Sequence, residues 1–201
     1  MSTRPPPDAT RRSERARRAI LTAAVDLVAE VGYANLTIEA IAARAGVGKQ
    51  TIYRWWRSKG AVVFDGFLFR QEVGGDITLP DTGDLRADLT TLLRSTIDDL
   101  VDPRVEAPYR ALNAEIQHDP QLASDLVDHL LGPLLEATRQ RLRSAQRAGQ
   151  IAADVDLNLA VELLYGPIYH RWLLRTAPLT AGYAEALAAL VLRALGTGSS
   201  T

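Results

Sequence analysis

The sequence predicts an all-α fold in two parts, an N-terminal helix-turn-helix head followed by a bundle of longer helices. Apolar residues recur every three or four positions through most of the chain, which is the period of one buried helical face. Residues 36–56 read as two short helices with a glycine turn between them. Residues 74–84 contain glycines, a proline and aspartates, and this composition predicts a linker between the two parts.

The charge distribution separates the same two parts. Residues 1–60 carry eleven Lys or Arg side chains against five Asp or Glu, whereas residues 61–201 carry twelve against nineteen. The net charge of the whole chain is only −1. A basic N-terminal part joined to an acidic remainder favours a nucleic-acid-binding head on a body that avoids phosphates.

Residues 1–12 are polar, and we expect them to form a disordered basic tail because three consecutive prolines disfavour a helix there. A first helix is expected from about Ser13 to Val31, since its apolar residues form one stripe that stops at Gly32. Arginines cluster where the tail meets this helix. They are interpreted either as phosphate contacts or as a solvated helix start: Arg11, Arg12 and Arg15, followed by Arg17 and Arg18.

Residues 36–56 carry the motif around which the head is organised. Thr37 can cap a helix whose apolar residues continue at helical spacing to Ala45. Gly46 can adopt the positive φ that a tight helix stop requires. A second helix is then expected from Lys49 to Trp56.

This second helix has two different faces. Ile52 and Trp56 lie four residues apart and share the face that is expected to be buried. The opposite face has no reason to be buried, and it carries Lys49, Gln50, Tyr53 and Arg54. Helix-turn-helix motifs place such a face in the DNA major groove. The alternative interpretation is an ordinary helical hairpin with a solvated polar face.

The run AGVGKQTIYRWWRSKGAVV, with a helix ending in VGY just upstream, closely resembles the DNA-binding domain of the TetR family of transcriptional regulators. The resemblance covers about residues 13–70 and implies a DNA-binding domain at residues 13–73. It also implies that the second helix and its flanks bind a double-stranded DNA operator. The residues implied as DNA contacts are Thr37, Lys49, Gln50, Thr51, Tyr53, Arg54, Trp55 and Lys59.

The implied contacts divide into two kinds. Lys49, Gln50, Tyr53 and Arg54 suit base edges, while Thr37, Thr51, Tyr53, Trp55 and Lys59 match positions that contact phosphates in the family. Family members usually place one aromatic residue of the tryptophan pair in the core. The spacing from Ile52 assigns that role to Trp56 and leaves Trp55 for the sugar-phosphate backbone. Some members also use a basic N-terminal arm in the minor groove.

The bundle is predicted at residues 85–196, followed by a tail at residues 197–201. Ser58 is expected to cap a connecting helix from Lys59 to about Glu72, and an apolar stripe from Leu85 predicts a helix of about 17 residues. Another helix is expected to start at Asp102 and Pro103 and to restart at Pro108. A longer one is expected from Asp119 and Pro120 to Arg147, bent at Gly132 and Pro133 and ended by Gly149. The last two are expected at 156–175 and 181–195.

The resemblance implies that this body is a ligand-binding and dimerisation bundle. Family members form homodimers through their last two helices, and the apolar stripes of 156–175 and 181–195 are too broad for one intramolecular face. The implied function is a repressor that an unknown small-molecule effector releases from its operator. The alternative is a helix-turn-helix regulator controlled by a protein partner.

Five residues of the body are candidates for an effector pocket: Tyr109, Tyr165, Tyr169, His170 and Trp172. Each has a structural alternative. The aromatic residues are equally well explained by helix packing, and His170 could contact an effector, respond to pH, or be a hydrogen-bonded structural histidine.

Composition argues against other classes of protein. The chain has no cysteine and only three histidines, so we predict no metal site and no cofactor. The residues Asp98, Asp99 and Asp102 are better interpreted as a solvated helix end than as metal ligands. Neither a nucleophile–base pair nor a glycine-rich phosphate loop is found, which predicts no enzymatic activity. No apolar run approaches the ~20 residues of a membrane span and no signal peptide is evident, so we expect a cytoplasmic protein that does not bind membranes.

Overall fold

The computed structural model describes residues 9–72 and 79–196, and all regular elements within these ranges are helical. The expected all-α fold is therefore confirmed. The ten α-helices of the described ranges are α1 (Ala9–Val31), α2 (Ile38–Ala45), α3 (Lys49–Tyr53), α4 (Lys59–Glu72), α5 (Leu85–Val101), α6 (Pro103–Glu115), α7 (Pro120–Leu126), α8 (Gly132–Arg147), α9 (Leu157–Leu174) and α10 (Ala181–Leu195). A 3₁₀ turn (Tyr33–Asn35) follows α1, and a π-helical turn (Val127–Leu131) separates α7 from α8.

The chain divides into two compact units that are not contiguous in sequence. The first unit combines the helices before the linker with Ala107–Leu126, and the second contains the rest of the body. The grouping differs from a simple division at the linker by this one segment. That segment joins the first unit because Tyr109 of α6 stacks on Phe67 of α4, with ring centroids 5.9 Å apart.

Helices α1 and α4 of the first unit pack unusually close together at Gly66. A Cβ atom at this position would lie 2.7 Å from Cγ2 of Val25 and 2.8 Å from the carbonyl oxygen of Leu21. An ion pair between Arg70 and Asp26 joins the same two helices at the surface. Because only glycine fits at this crossing, the two helix backbones can approach closely there.

The ends of two helices differ from expectation. Helix α1 begins at Ala9 rather than Ser13, so residues 9–12 are helical, while residues 1–8 of the expected tail lie outside the described residues. Its alanines and arginines favour a helix once the prolines are passed. Helix α3 ends at Tyr53 rather than Trp56. The chain turns there because the amides of Trp55 and Trp56 both donate to the Ile52 carbonyl, at 2.9 and 3.0 Å.

Two expected interruptions of the body helices also differ. Helix α6 continues through Pro108 without the expected restart. Burial of the proline ring and of the residues that follow stabilises the helix despite the missing N–H donor. The bend expected at Gly132 and Pro133 is instead the π-helical turn just before them. This turn brings the Val127 carbonyl oxygen to 2.9 Å from where a Cβ of Gly132 would lie, which explains the glycine.

The expected linker and C-terminal tail are only partly described. Residues 74–78 of the linker and residues 197–201 lie outside the described ranges. At the end of the linker, the side chain of Asp84 caps α5 by accepting from the Ala87 amide at 3.0 Å. The expected 17-residue helix follows from this cap.

The second unit contains a buried ion pair between Asp88 of α5 and Arg141 of α8. Both side chains are almost fully buried, and Nε of Arg141 donates to Oδ2 of Asp88 at 2.8 Å. The hydroxyl and the amide of Thr82 also donate to this carboxylate, at 2.7 and 3.1 Å. Burial alone would raise the pKa of Asp88, but the bonds from Thr82 and Arg141 outweigh it and hold the pKa below its usual value.

Candidate nucleic-acid interface

The turn between α2 and α3 has the geometry expected of a helix-turn-helix. Gly46 adopts the left-handed conformation with φ 67° and ψ 34°. Its amide donates to the carbonyls of Ala42 and Ala43, and the Val47 amide donates to the Ala42 carbonyl at 3.0 Å. Gly48 then returns the backbone to an extended conformation before α3 begins. The glycine predicted to stop α2 therefore makes the sharp turn that presents α3.

Helix α3 separates its buried and exposed faces as predicted. Ile52 is fully buried, and Trp56 after the helix is 5% exposed. The four side chains predicted for base edges are all exposed: Lys49, Gln50, Tyr53 and Arg54. Tyr53 is a large side chain, and it remains 49% exposed in the described chain.

The two adjacent tryptophans take the different positions that the spacing predicted. The indole N–H of Trp56 donates to Oδ2 of Asp65 at 2.8 Å, which satisfies its polar atom in the core. Trp55 is half-buried and meets Trp56 edge-on, with ring centroids 5.4 Å apart. The guanidinium of Arg54 lies 5.0 Å from the centroid of the Trp55 ring. Arg54 and Trp55 thus form a cationic and aromatic surface next to α3.

Two further predicted contacts have partners within the protein. The Lys49 ammonium lies 3.6 Å from Oε1 of Glu39, and because both side chains are exposed this ion pair is weak. The Thr37 hydroxyl oxygen accepts from the Ala40 amide at 3.1 Å and so caps α2. Its hydroxyl proton remains available to donate to a phosphate oxygen. Thr51 is half-buried on the same helix as Lys49.

Lys59 has a different environment from the other predicted contacts. Its side chain is half-buried, and Nζ donates to the carbonyl oxygens of Tyr33 and Leu36 at 3.0 and 3.2 Å. The ammonium also lies 4.3 Å from the centroid of the Tyr33 ring. The preceding Ser58 caps α4 as expected, with Oγ accepting from the Ala61 amide at 3.2 Å.

Arginines extend the basic surface beyond α3. Arg11, Arg12 and Arg15 are exposed on the first turns of α1. Arg57 is also exposed, directly after Trp56, and is not among the predicted contacts. Its position in the basic and aromatic run RWWR was the available signal.

The candidates for an effector pocket do not lie in one unit. Tyr109 belongs to the first unit, while the other four lie on α9 in the second. The hydroxyl of Tyr165 hydrogen-bonds the Thr138 hydroxyl at 2.8 Å, and burial raises the pKa of Tyr165 to about 12. The indole of Trp172 donates to the Leu100 carbonyl at 3.2 Å, whereas His170 is exposed. These contacts favour the packing interpretation for Tyr165 and Trp172.

The described chain offers no obvious site for a metal ion. Within residues 9–72 and 79–196, no three acidic or histidine side chains come together as metal ligands. At the end of α5, the side chain and amide of Arg104 bind the Asp102 carboxylate and lower its pKa to about 2. No helix in the described ranges is both long and apolar enough to cross a bilayer.

The fold and this surface together define the class of protein. A helix-turn-helix whose second helix has one buried face and one exposed basic, aromatic face is typical of a DNA-binding protein. A family model described as bacterial regulatory proteins of the tetR family matches residues 20–65, and a model described as the tetracyclin repressor-like C-terminal domain matches residues 79–191. The chain therefore belongs to the TetR family of transcriptional regulators, as the sequence resemblance indicated.

Individual relatives agree with this assignment. The chain is 30% identical over 190 residues to the HTH-type transcriptional regulator YdeS of Bacillus subtilis, covering 94% of each chain. It is 29% identical over 163 residues to the DNA-binding transcriptional repressor TetR of Mycobacteroides abscessus, covering 80% of this chain and 83% of the other. The crystal structure of the TetR family transcription regulator SCO0332 superposes with a TM-score of 0.71 at 33% identity, covering 91% of this chain and all of that one.

Proposed function

We propose that this regulator is a repressor that binds a two-fold DNA operator through α3 and its flanks. The observation that carries the proposal is the contrast between the faces of α3, since Ile52 is fully buried while Lys49, Gln50, Tyr53 and Arg54 remain exposed. In the major groove these side chains suit base edges, while Thr37, Thr51, Trp55 and the arginines of α1 suit phosphates.

The first experiment is a mobility-shift assay on the DNA immediately upstream of the protein's own coding region. We expect sequence-selective binding that weakens strongly with added salt, because phosphate contacts release counterions. Footprinting is expected to protect two half-sites about 34 to 36 Å apart. If the protein binds this DNA no better than unrelated DNA, its operator lies elsewhere or the repressor proposal fails for this promoter.

Changing the exposed face of α3 is expected to change which operators are preferred. Tyr53→Ala should alter discrimination at one or two base pairs by about 1–3 kcal/mol, because a base-edge contact is lost. Arg15→Ala serves as the control, since a phosphate contact contributes equally on every sequence. Binding selections on a randomised operator measure both. An equal loss on all sequences for Tyr53→Ala would contradict its assignment to a base edge.

We further propose that the protein dimerises through α9 and α10. Large apolar side chains remain exposed on these helices in the single chain, among them Leu159 at 64% and Leu190 at 56%. Leu163, Leu173 and Leu174 of α9 are exposed as well. An apolar surface of this kind on consecutive helices is typical of an interface between copies. A homodimer is also what a two-fold operator requires.

Leu159→Lys is expected to convert the dimer to a monomer, because the interface would bury an unpaired charge. Val101→Lys is the matched control, since Val101 is a similarly exposed apolar residue at 47% but lies at the end of α5. Light scattering coupled to size exclusion measures both masses. A dimer that survives Leu159→Lys and is lost with Val101→Lys would place the interface elsewhere.

The proposed regulation is release from the operator by a small molecule bound in the C-terminal part. Residues 79–191 match the tetracyclin repressor-like domain, which supports this proposal. A full switch from 1:99 to 99:1 would need about 5.5 kcal/mol of difference in effector affinity between the two states. The operator assay can screen for compounds that reduce binding. If DNA affinity is unchanged by every compound that binds, control by a protein partner becomes the better candidate.

A further inference from the structure

The chain contains two lysines, and the structure places them in different environments. The ammonium of Lys49 is exposed on the outer face of α3, with one weak partner in Glu39. The ammonium of Lys59 is half-buried and donates to two backbone carbonyl oxygens. An ammonium has three donors, so two of those of Lys59 are already occupied in the protein without DNA.

The two carbonyls belong to the turn that leads into the helix-turn-helix. The Tyr33 carbonyl also accepts from the Leu36 amide at 3.2 Å, which closes the 3₁₀ turn. Leu36 is 2% exposed, and Lys59 is a donor to its carbonyl from a different part of the chain. The next residue, Thr37, is the cap of α2. Lys59 therefore fixes the backbone at the point where α2 starts, and a buried carbonyl would lose a partner without it.

The position of Lys59 in its own helix supports the same role. Lys59 is the first residue of α4, where a positive charge is unfavourable because the helix dipole is also positive there. Bonds to carbonyl oxygens and to the face of the Tyr33 ring offset this cost. The ammonium is therefore held by acceptors within the protein despite the unfavourable dipole.

On its other side, Tyr33 is held by Ala107–Leu126, the second stretch of the first unit. Its buried hydroxyl lies beside Glu115, and burial together with the Glu115 carboxylate raises the pKa of Tyr33. A Cβ at Gly60 would lie only 3.2 Å from this hydroxyl and 3.1 Å from Cγ of Glu115. The ring that Lys59 covers is therefore confined by α4 and α6 and has little freedom to move.

We propose that Lys59 is a positioning residue that fixes the turn between α1 and α2, and that it is not a phosphate ligand. The exclusion of a phosphate contact rests on the proposed DNA binding, whereas the positioning role does not. Lys49 provides the internal control because it is the other lysine of the chain.

The first experiment labels the unmodified full-length protein with an amine-acetylating reagent and measures both lysines by peptide mass spectrometry. Without DNA, we expect Lys59 to react at least about tenfold more slowly than Lys49, because its hydrogen bonds must open first. Adding a random-sequence 30-base-pair duplex should slow acetylation of Lys49 and leave that of Lys59 unchanged. Equal reactivity of the two lysines without DNA would overturn the positioning role, and protection of Lys59 by DNA would overturn the exclusion of a phosphate contact.

The second experiment compares Lys59→Met with Lys49→Met. Hydrogen exchange in the free protein should become about tenfold faster at the amides of Leu36, Ala40 and Ile41 in Lys59→Met, and should not change in Lys49→Met. On the random-sequence duplex, the slope of log affinity against log salt concentration should be the same for Lys59→Met and wild type. Unchanged exchange would overturn the positioning role. A slope reduced by about 0.9, the value for one phosphate contact, would identify Lys59 as a phosphate ligand. If Lys59→Met does not fold, the labelling experiment still decides both points.

Discussion

Replacing Asp88 with alanine is expected to lower the free energy of unfolding by about 3–5 kcal/mol. The substitution leaves the guanidinium of Arg141, which is 4% exposed, without its buried carboxylate. Thr82 also loses the acceptor of its hydroxyl and amide. Chemical denaturation followed by circular dichroism measures the change. The exposed Asp81, 3.3 Å from Nε of Arg141, cannot replace the lost partner fully because water screens it.

The matched control is the double variant Asp88→Leu with Arg141→Met, which removes both charges. Because no charge is then left unpaired, this variant should lose much less stability than Asp88→Ala. A double variant as unstable as the single one would mean that the loss comes from packing or from the orphaned donors of Thr82, and not from the orphaned charge.

The same ion pair predicts how stability depends on pH. The folded pKa of Asp88 is depressed, so its contribution is present above the unfolded value of about 3.9 and is lost as the pH falls through the lower folded value. The wild type should therefore lose more stability than the double variant as the pH is lowered below about 4. Parallel curves for the two proteins would show that Asp88 is not the group responsible.

Trp56→Ala is expected to destabilise the protein by about 3–5 kcal/mol, the range for truncating a buried tryptophan. The side chain is 5% exposed, and its loss also removes the hydrogen bond to Asp65. Thermal unfolding monitored at a wavelength specific for helix content measures this loss. The affinity for DNA should decrease as well, because Trp56 packs the end of α3 against α4.

Trp55→Ala is the control that the chain itself provides, one residue away. Trp55 is half-buried and supports the Arg54 guanidinium, so its removal should cost about 1 kcal/mol of stability or less. It should nevertheless weaken binding to DNA of any sequence. If Trp55→Ala destabilised the fold as much as Trp56→Ala, the division of the pair into a core residue and a DNA-facing residue would be wrong.

Much of the local structure could be predicted because its causes are local in sequence. Thr37, Ser58, Asp84 and Thr180 each cap the helix that follows, as their side-chain chemistry indicates. The spacing of Ile52 and Trp56 predicted which tryptophan is buried. These features depend on contacts within about four residues, which a single sequence displays directly.

The features that were missed depend on contacts between distant parts of the chain. Nothing near Lys59 in sequence indicates that its ammonium meets carbonyls 23 and 26 residues away. A proline such as Pro108 ordinarily interrupts a helix, and its burial in the folded unit is not visible in the sequence. The resemblance gave Lys59 a role from its position in the family pattern, but it could not show the partners that the side chain has in this chain.

The first unit, which contains the helix-turn-helix, is built from two stretches of chain, because Ala107–Leu126 packs with the N-terminal helices. An excised fragment that stops at the linker would expose Phe67, which is 4% exposed in the intact chain, and would lose the stacked ring of Tyr109. Anyone who grafts this head onto another regulator should therefore transplant the second stretch with it. A chimera joined only at the linker would contain the recognition surface but would lack the second stretch of chain that packs with it.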